Sequence, residues 1–213
     1  MKKLTLFSLP LLAVVALVAS GCGGDTAASS KAAVRASASS ACPAAWKAGW
    51  QHVANKTRSP VYCPGWMPNP LDGKIGGTWN TVYSVSKDGS YLIGFAWQEN
   101  GEEVHVNFRG YPGRTKIPNC RESNFAGGKV HYYVVPCFAD PAGTRKINGI
   151  GATVYTVNQD ADQWHILYAW RRNGSLYTAS EHVALPFDTA GSVERNLDHV
   201  LRSLTLLQPK PQT

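Results

Sequence analysis

The sequence predicts an α+β domain: a largely antiparallel β-sheet built from hairpins, covered by an N-terminal and a C-terminal helix and tied by two disulfides. Three observations carry this. Asp88-Gly89 and Asn173-Gly174 each divide a pair of β-rich runs, and a two-residue turn of that composition supplies the positive φ angles a tight hairpin demands. Apolar residues at helical spacing occur near the two ends, in 43–55 and 192–206, while β patterning fills the interval. Four cysteines, Cys42, Cys63, Cys120 and Cys137, fall inside the same span.

Pro43–Asn55 places Trp46, Trp50 and Val53 at i, i+4 and i+7, one face of a helix. Ser59–Asp72 holds four prolines and reads as an ordered loop or extended connector. From Thr78 the pattern is β. Trp79–Lys87 and Ser90–Gln98 flank Asp88-Gly89. In Glu102–Tyr111, Val104, Val106 and Phe108 alternate with Glu103, His105 and Asn107, as in a strand with one wet face. Lys129–Pro136 and Ala152–Asn158 are further strands, and Trp164–Arg172 with Ser175–Val183 form the second hairpin. Ser192–Leu206 sets Val193, Leu197, Val200, Leu201 and Leu204 on one stripe, with Asp188, Thr189 and Ser192 as candidate caps. Residues 42–207 are thus expected to form one domain, followed by a loose tail at 208–213.

Upstream, Lys2-Lys3 precede an apolar run from Leu4 to Ala19, and Val18-Ala19-Ser20-Gly21-Cys22 follows. The run is about 16 residues, short of the ~20 a spanning helix needs. This arrangement resembles a bacterial lipoprotein signal. The resemblance implies that 1–21 is removed, that Cys22 receives a diacylglycerol, and that the protein sits on the extracytoplasmic face of the cell membrane. Gly23–Ala41 is almost wholly Gly, Ala, Ser and Thr, so 22–41 reads as a lipidated cysteine and flexible tether.

The same reading resolves the odd count of five cysteines. Cys22 is taken by lipid, and the other four are expected to be disulfide-bonded outside the cytoplasm. Of the three pairings, Cys42–Cys63 and Cys120–Cys137 close short local loops and are favoured. Zinc is the rival use of four cysteines, but no C-x-x-C spacing occurs. Removing Lys2 and Lys3 from 21 basic against 14 acidic residues leaves the mature chain at +5. That modest excess suits anionic lipid or cell-wall polymer near the anchor, with a solvated surface of slight basic bias as the alternative. Nucleic acid is not an expected partner of an exported protein.

Gly151-Ala-Thr-Val-Tyr155, Trp164-His-Ile-Leu-Tyr-Ala-Trp170, Asn173-Gly-Ser-Leu-Tyr177 and the closing Leu201-Arg-Ser-Leu204 resemble the end of PsbP-like α/β domains. Such domains recur in exported lipoproteins of high-GC Gram-positive bacteria. The resemblance implies a non-catalytic binding or assembly module and transfers no functional residues.

No catalytic set and no cofactor are expected. Ser84-Val-Ser-Lys87 spells S-x-x-K, but it lies in a predicted strand and lacks the S-D-N and K-T-G partners of an acylating site. The sharpest local expectation concerns the second hairpin. A two-residue turn at Asn173-Gly174 pairs Arg172 with Ser175, Trp170 with Tyr177 and His165 with His182. One face then carries Trp164, Ile166, Tyr168, Trp170, Tyr177 and Val183 and is the expected core face. The other carries His165, Arg171, Thr178, Ser180 and His182 and is expected to be wet. Two opposed imidazoles are close enough to share a metal ion, with His105 or His131 as a third ligand where strand order allows; two solvated histidines are the alternative.

Arg109, Arg114, Lys116 and Arg121 make a candidate anion-binding loop, with a plain solvated loop as the alternative. Trp66, in the Pro-rich Cys63–Pro68 stretch, is a candidate exposed contact for sugar or protein. Three functions follow: a membrane-anchored binding or assembly module, a structural partner in an envelope protein complex, and an envelope hydrolase with scattered His, Asp and Glu.

Overall fold

The computed structural model describes residues 41–69, 71, 84–99, 102–157, 164–184 and 189–211. The expected signal, Cys22, the tether, the expected strand residues 79–83 and the cap candidate Asp188 lie outside the described residues.

The chain opens with helix α1 (Ala44–Thr57), for which Pro43 presets φ at the N-cap. Trp46, Trp50, Val53 and Ala54 are its buried stripe. Arg58, in the left-handed region, ends it by donating its N–H back to the last turn. Strand β1 (Val61–Cys63) follows, then β2 (Ser84–Val85), β3 (Tyr91–Glu99), β4 (Glu102–Tyr111), β5 (Asn119–Ala126), β6 (Lys129–Pro136), β7 (Pro141–Ile147), β8 (Ile150–Val157), β9 (His165–Arg172) and β10 (Ser175–His182). Helix α2 (Ala190–Ser203) starts with a capping box: Thr189 accepts from the Ser192 N–H, and Ser192 accepts from the Thr189 N–H. Leu204 is extended, and β11 (Thr205–Leu207) closes the fold. Residues 205–206, expected as helix, belong to this strand because they pair with β1.

Among the described residues the main sheet has seven strands in the order β2-β3-β4-β10-β9-β8-β7, every pair antiparallel. The central seam joins β4 to β10, two strands far apart in sequence, with Phe108 opposite Ala179 and Asn107 opposite Ser180. Two ribbons stand outside this sheet, β1 with β11 and β5 with β6. Strands β1, β5, β7 and β11 were not expected. The first and last are three-residue pieces, and β5 and β7 carry Arg, Glu, Ser, Asn, Gly and Pro with little apolar alternation.

One sheet face holds the larger core. Trp46 and Trp50 pack on Phe95, and Trp50 meets Phe108 edge-on at 5.2 Å. Tyr62 of β1 lies edge-on to Trp170 and Tyr177. From α2, Asp198 accepts a hydrogen bond from the Tyr168 hydroxyl at 2.9 Å, and Glu194 takes Arg145 of β7 at 2.6 Å. Burial, then the Asp198 carboxylate, holds the Tyr168 phenol above its ordinary range, so it remains a donor. The helices flank the sheet at this face; a complete helical cover, as expected, is not what is seen. Among the described residues no helix is long and apolar enough to cross a membrane.

Two expectations on hairpin geometry divide. Asn173 and Gly174 both have positive φ, and the β9–β10 register runs from Arg172–Ser175 to His165–His182 as the two-residue turn requires. At Asp88-Gly89 only Gly89 has positive φ. The Ser86 C=O accepts from the Gly89 N–H and the Ser86 N–H reaches the Ser90 C=O, so the loop has three residues and ends in a glycine bulge. Asp88 spends its side chain on the Ser90 N–H and hydroxyl instead of a left-handed backbone.

Both disulfides join the favoured pairs, Cys42–Cys63 with Cα atoms 5.6 Å apart and Cys120–Cys137 at 4.8 Å. The Gln51 amide donates to the Gln208 carbonyl and the Lys210 N–H donates to Asn55, so the segment expected as a loose tail is bonded to α1.

Candidate metal centre

The β9–β10 turn sets His165 opposite His182, and the β4–β10 register sets His105 on the other side of His182. The three histidines therefore stand side by side on β4, β10 and β9, on the face away from both helices, and their imidazoles converge into a triangle. Ring centroids are 4.4 Å apart for His105–His165, 5.0 Å for His105–His182 and 5.1 Å for His165–His182. One nitrogen from each can be chosen so that all three lie within 4.8 Å of one another. Tetrahedral zinc with Zn–N near 2.05 Å needs nitrogens about 3.4 Å apart. Side-chain rotation of at most about 1.4 Å closes the set.

The site is partly shielded from solvent. His165 is buried, while His105 and His182 are half-buried. Thr178 and Ser180, the next β10 residues on this face, are fully buried. The face expected to be wet is therefore covered. Its second apolar cluster, Phe138, Tyr155, Leu167, Ala169 and Leu176, supplies part of that cover, with Tyr111 and Ile117 packed beside it. Thr and Ser on a strand read as solvent-facing, and this cluster overrides that signal. Trp164, expected in the core, is 63 % exposed, with φ at 62° as the chain enters β9. Its carbonyl accepts from the Val183 N–H and extends the hairpin by one bond.

The other candidates are placed as follows. His131 sits on exposed β6 with its Nε2 3.3 Å from the Ala126 carbonyl, outside the triangle. Glu181 alternates to the helix face and accepts from Asn196 at 2.7 Å, so it does not serve the imidazoles as a base. Arg109 stands on β4 opposite Thr178, Arg114 is held by Asp88 at 2.9 Å, Lys116 is exposed, and Arg121 lies over the Tyr132 ring at 3.8 Å. These four cations face different neighbours. Ser84 is on β2 opposite Leu92, without the helix that S-x-x-K chemistry needs. Trp66 is half-buried and stacked on His199 at 4.0 Å, not projecting from its loop.

His105 could be named from sequence only as one of two third ligands, because pairing between β4 and β10 is long-range. No protein-family model, no curated protein and no solved structure matches this chain, so the site is read from its own geometry.

Proposed function

We propose that this protein is a lipid-anchored extracytoplasmic binding module whose ligand is a transition-metal ion held by His105, His165 and His182. The observation that carries the reading is the triangle of three imidazoles on adjacent strands. Imidazole nitrogens suit zinc, copper and nickel, and three protein ligands leave a coordination position for water or a partner's donor. A sheet fixes its side chains more firmly than a loop does, so the ligands are pre-ordered. The disulfides support an oxidising compartment, and the Cys22 signal supports attachment to the membrane there. The reading is of holding a metal, in keeping with a binding or assembly role, without a catalytic base drawn from Glu181.

The test is metal titration of the chain from residue 22 carrying Cys22→Ser, by calorimetry and thermal unfolding with Zn²⁺, Cu²⁺ and Ni²⁺. Metal at a hundredfold excess over its dissociation constant stabilises the native state by about 2.7 kcal/mol, or roughly 5 to 10 °C for a domain of this size. His182→Ala and His105→Ala should each abolish the shift, and His131→Ala should leave it intact. A shift that survives both site substitutions, or no binding of any of the three ions, sinks the proposal.

A further inference from the structure

The ribbon β5–β6 pairs with no other strand among the described residues. Gly127 and Gly128, both with positive φ, close it at one end. The other end is fixed by the Cys120–Cys137 bridge and by the Cys137 N–H on the Pro118 carbonyl. Register puts Phe125, Val130, Tyr132 and Val134 on one face together with Arg121. Phe125 is 75 % exposed, Val134 67 %, Tyr132 61 % and Val130 52 %. Four large apolar side chains in one exposed strip mark an interaction surface.

We infer that this ribbon docks on an anionic phospholipid surface. The polarity along the ribbon has an order that a bilayer matches. Phe125 and Val130 pair beside the turn, Tyr132 follows one same-face step behind, and Arg121 lies a further step back, opposite Val134. Apolar tip, aromatic middle and cationic root correspond to acyl boundary, interfacial belt and phosphate level. Four residues separate Phe125 from Arg121, about 13 Å along a strand, comparable with the ~5–10 Å to which interfacial elements sink.

Charge agrees with this orientation. Arg121 on the strip's face and Lys116 near the root are exposed cations at the phosphate level, and exposed Lys129 stands beside the turn on the opposite face. Glu122, the ribbon's acid, is turned to the opposite face, where it bonds Tyr133. The guanidinium of Arg121 over the Tyr132 ring, the glycine turn and the bridge hold the strip in place before it meets lipid, which spares the ordering entropy of docking. The inference borrows from the anchored reading only the nearness of a membrane; the contact itself needs no lipid on Cys22.

The experiment floats the chain from residue 22 carrying Cys22→Ser with vesicles of equal parts phosphatidylglycerol and phosphatidylcholine, and with vesicles of phosphatidylcholine alone. Binding should favour the anionic vesicles by about tenfold and weaken as salt rises. Phe125→Ser with Val130→Ser, and separately Arg121→Glu with Lys116→Glu, should each lower it by about tenfold, with near-ultraviolet circular dichroism unchanged. Absent flotation, or flotation equal in these variants, overturns the inference. So does self-association in light scattering that Phe125→Ser with Val130→Ser abolishes, because a second copy then occupies the strip. Mass spectrometry of Cys22 in cells is the separate arm: an unlipidated Cys22 in a chain that still floats removes the anchor and leaves the ribbon contact standing.

Discussion

Gly110→Ala probes the register of β4, the strand that carries His105, against β3. Gly110 lies on β4 opposite Tyr91 of β3 and, on its other side, opposite Tyr177 of β10. The Tyr91 ring crosses the space where a Gly110 Cβ would stand, and that Cβ would meet Cε1, Cζ and Oη of the ring, the last at 2.6 Å. Contacts below 3 Å force one partner to move. Tyr91 is 4 % exposed and belongs to the core formed with Tyr62, Tyr177 and Trp170, so it has no free direction. Overpacking of this kind costs about 1–3 kcal/mol, and the lower backbone entropy of alanine in a strand returns about 0.5–1 kcal/mol. The net loss is about 1–2 kcal/mol, or roughly 3 to 6 °C in thermal unfolding. Adding Tyr91→Ala removes the ring, so Gly110→Ala in that background should be neutral or stabilising. The double-mutant cycle should then show a coupling of about 2 kcal/mol. An unchanged melting temperature for Gly110→Ala alone, or strictly additive effects, would refute the placement of Tyr91 over Gly110, and with it the β3–β4 register that seats β4, the strand carrying His105, in the sheet.

Other outcomes follow from local chemistry. The Ser90 hydroxyl and N–H, with Arg114 beyond them, hold the Asp88 carboxyl at about 2, below its ordinary 3.8. Its contribution is therefore full above the ordinary value and lost as pH falls toward 2. Asp88 is nearly half exposed, so screening limits this to below about 1 kcal/mol, and Asp88→Ala should unfold like the parent near pH 2 but earlier at pH 6 in urea titrations. Replacing Cys42 and Cys63 by Ala opens a loop of sequence separation 21 and should lower stability by about 3 kcal/mol on the loop-entropy account, read from the same titrations.

Local chemistry was legible in the sequence and long-range pairing was not. Asn173-Gly174 dictates its own turn, and the turn dictates that His165 faces His182. Apolar spacing located α1 and α2 because each buries one stripe. The third imidazole depends on β4 lying next to β10, a choice made by packing among all strands. The burial of the histidine face depends on Phe138 and Tyr155, which arrive from segments that show no preference for it. The ribbon strand β5 escaped notice for the opposite reason: apart from half-buried Cys120 and Glu122 it is exposed, so no core imprints a pattern on it.

The first and last segments of the domain complete each other. Val61, Tyr62 and Cys63 pair with Leu207, Leu206 and Thr205, and α1 bonds onward to residues 208 and 210. During synthesis from the N-terminus, α1 and β1 therefore lack these contacts until residues 205–210 have been made. Contacts so distant in sequence are slow to close. Cys63 is fully buried in the folded domain, on the strand that β11 pairs. Strand β11 thus completes a contact that β1 leaves open, joining residues 61–63 to 205–207 across most of the domain's sequence.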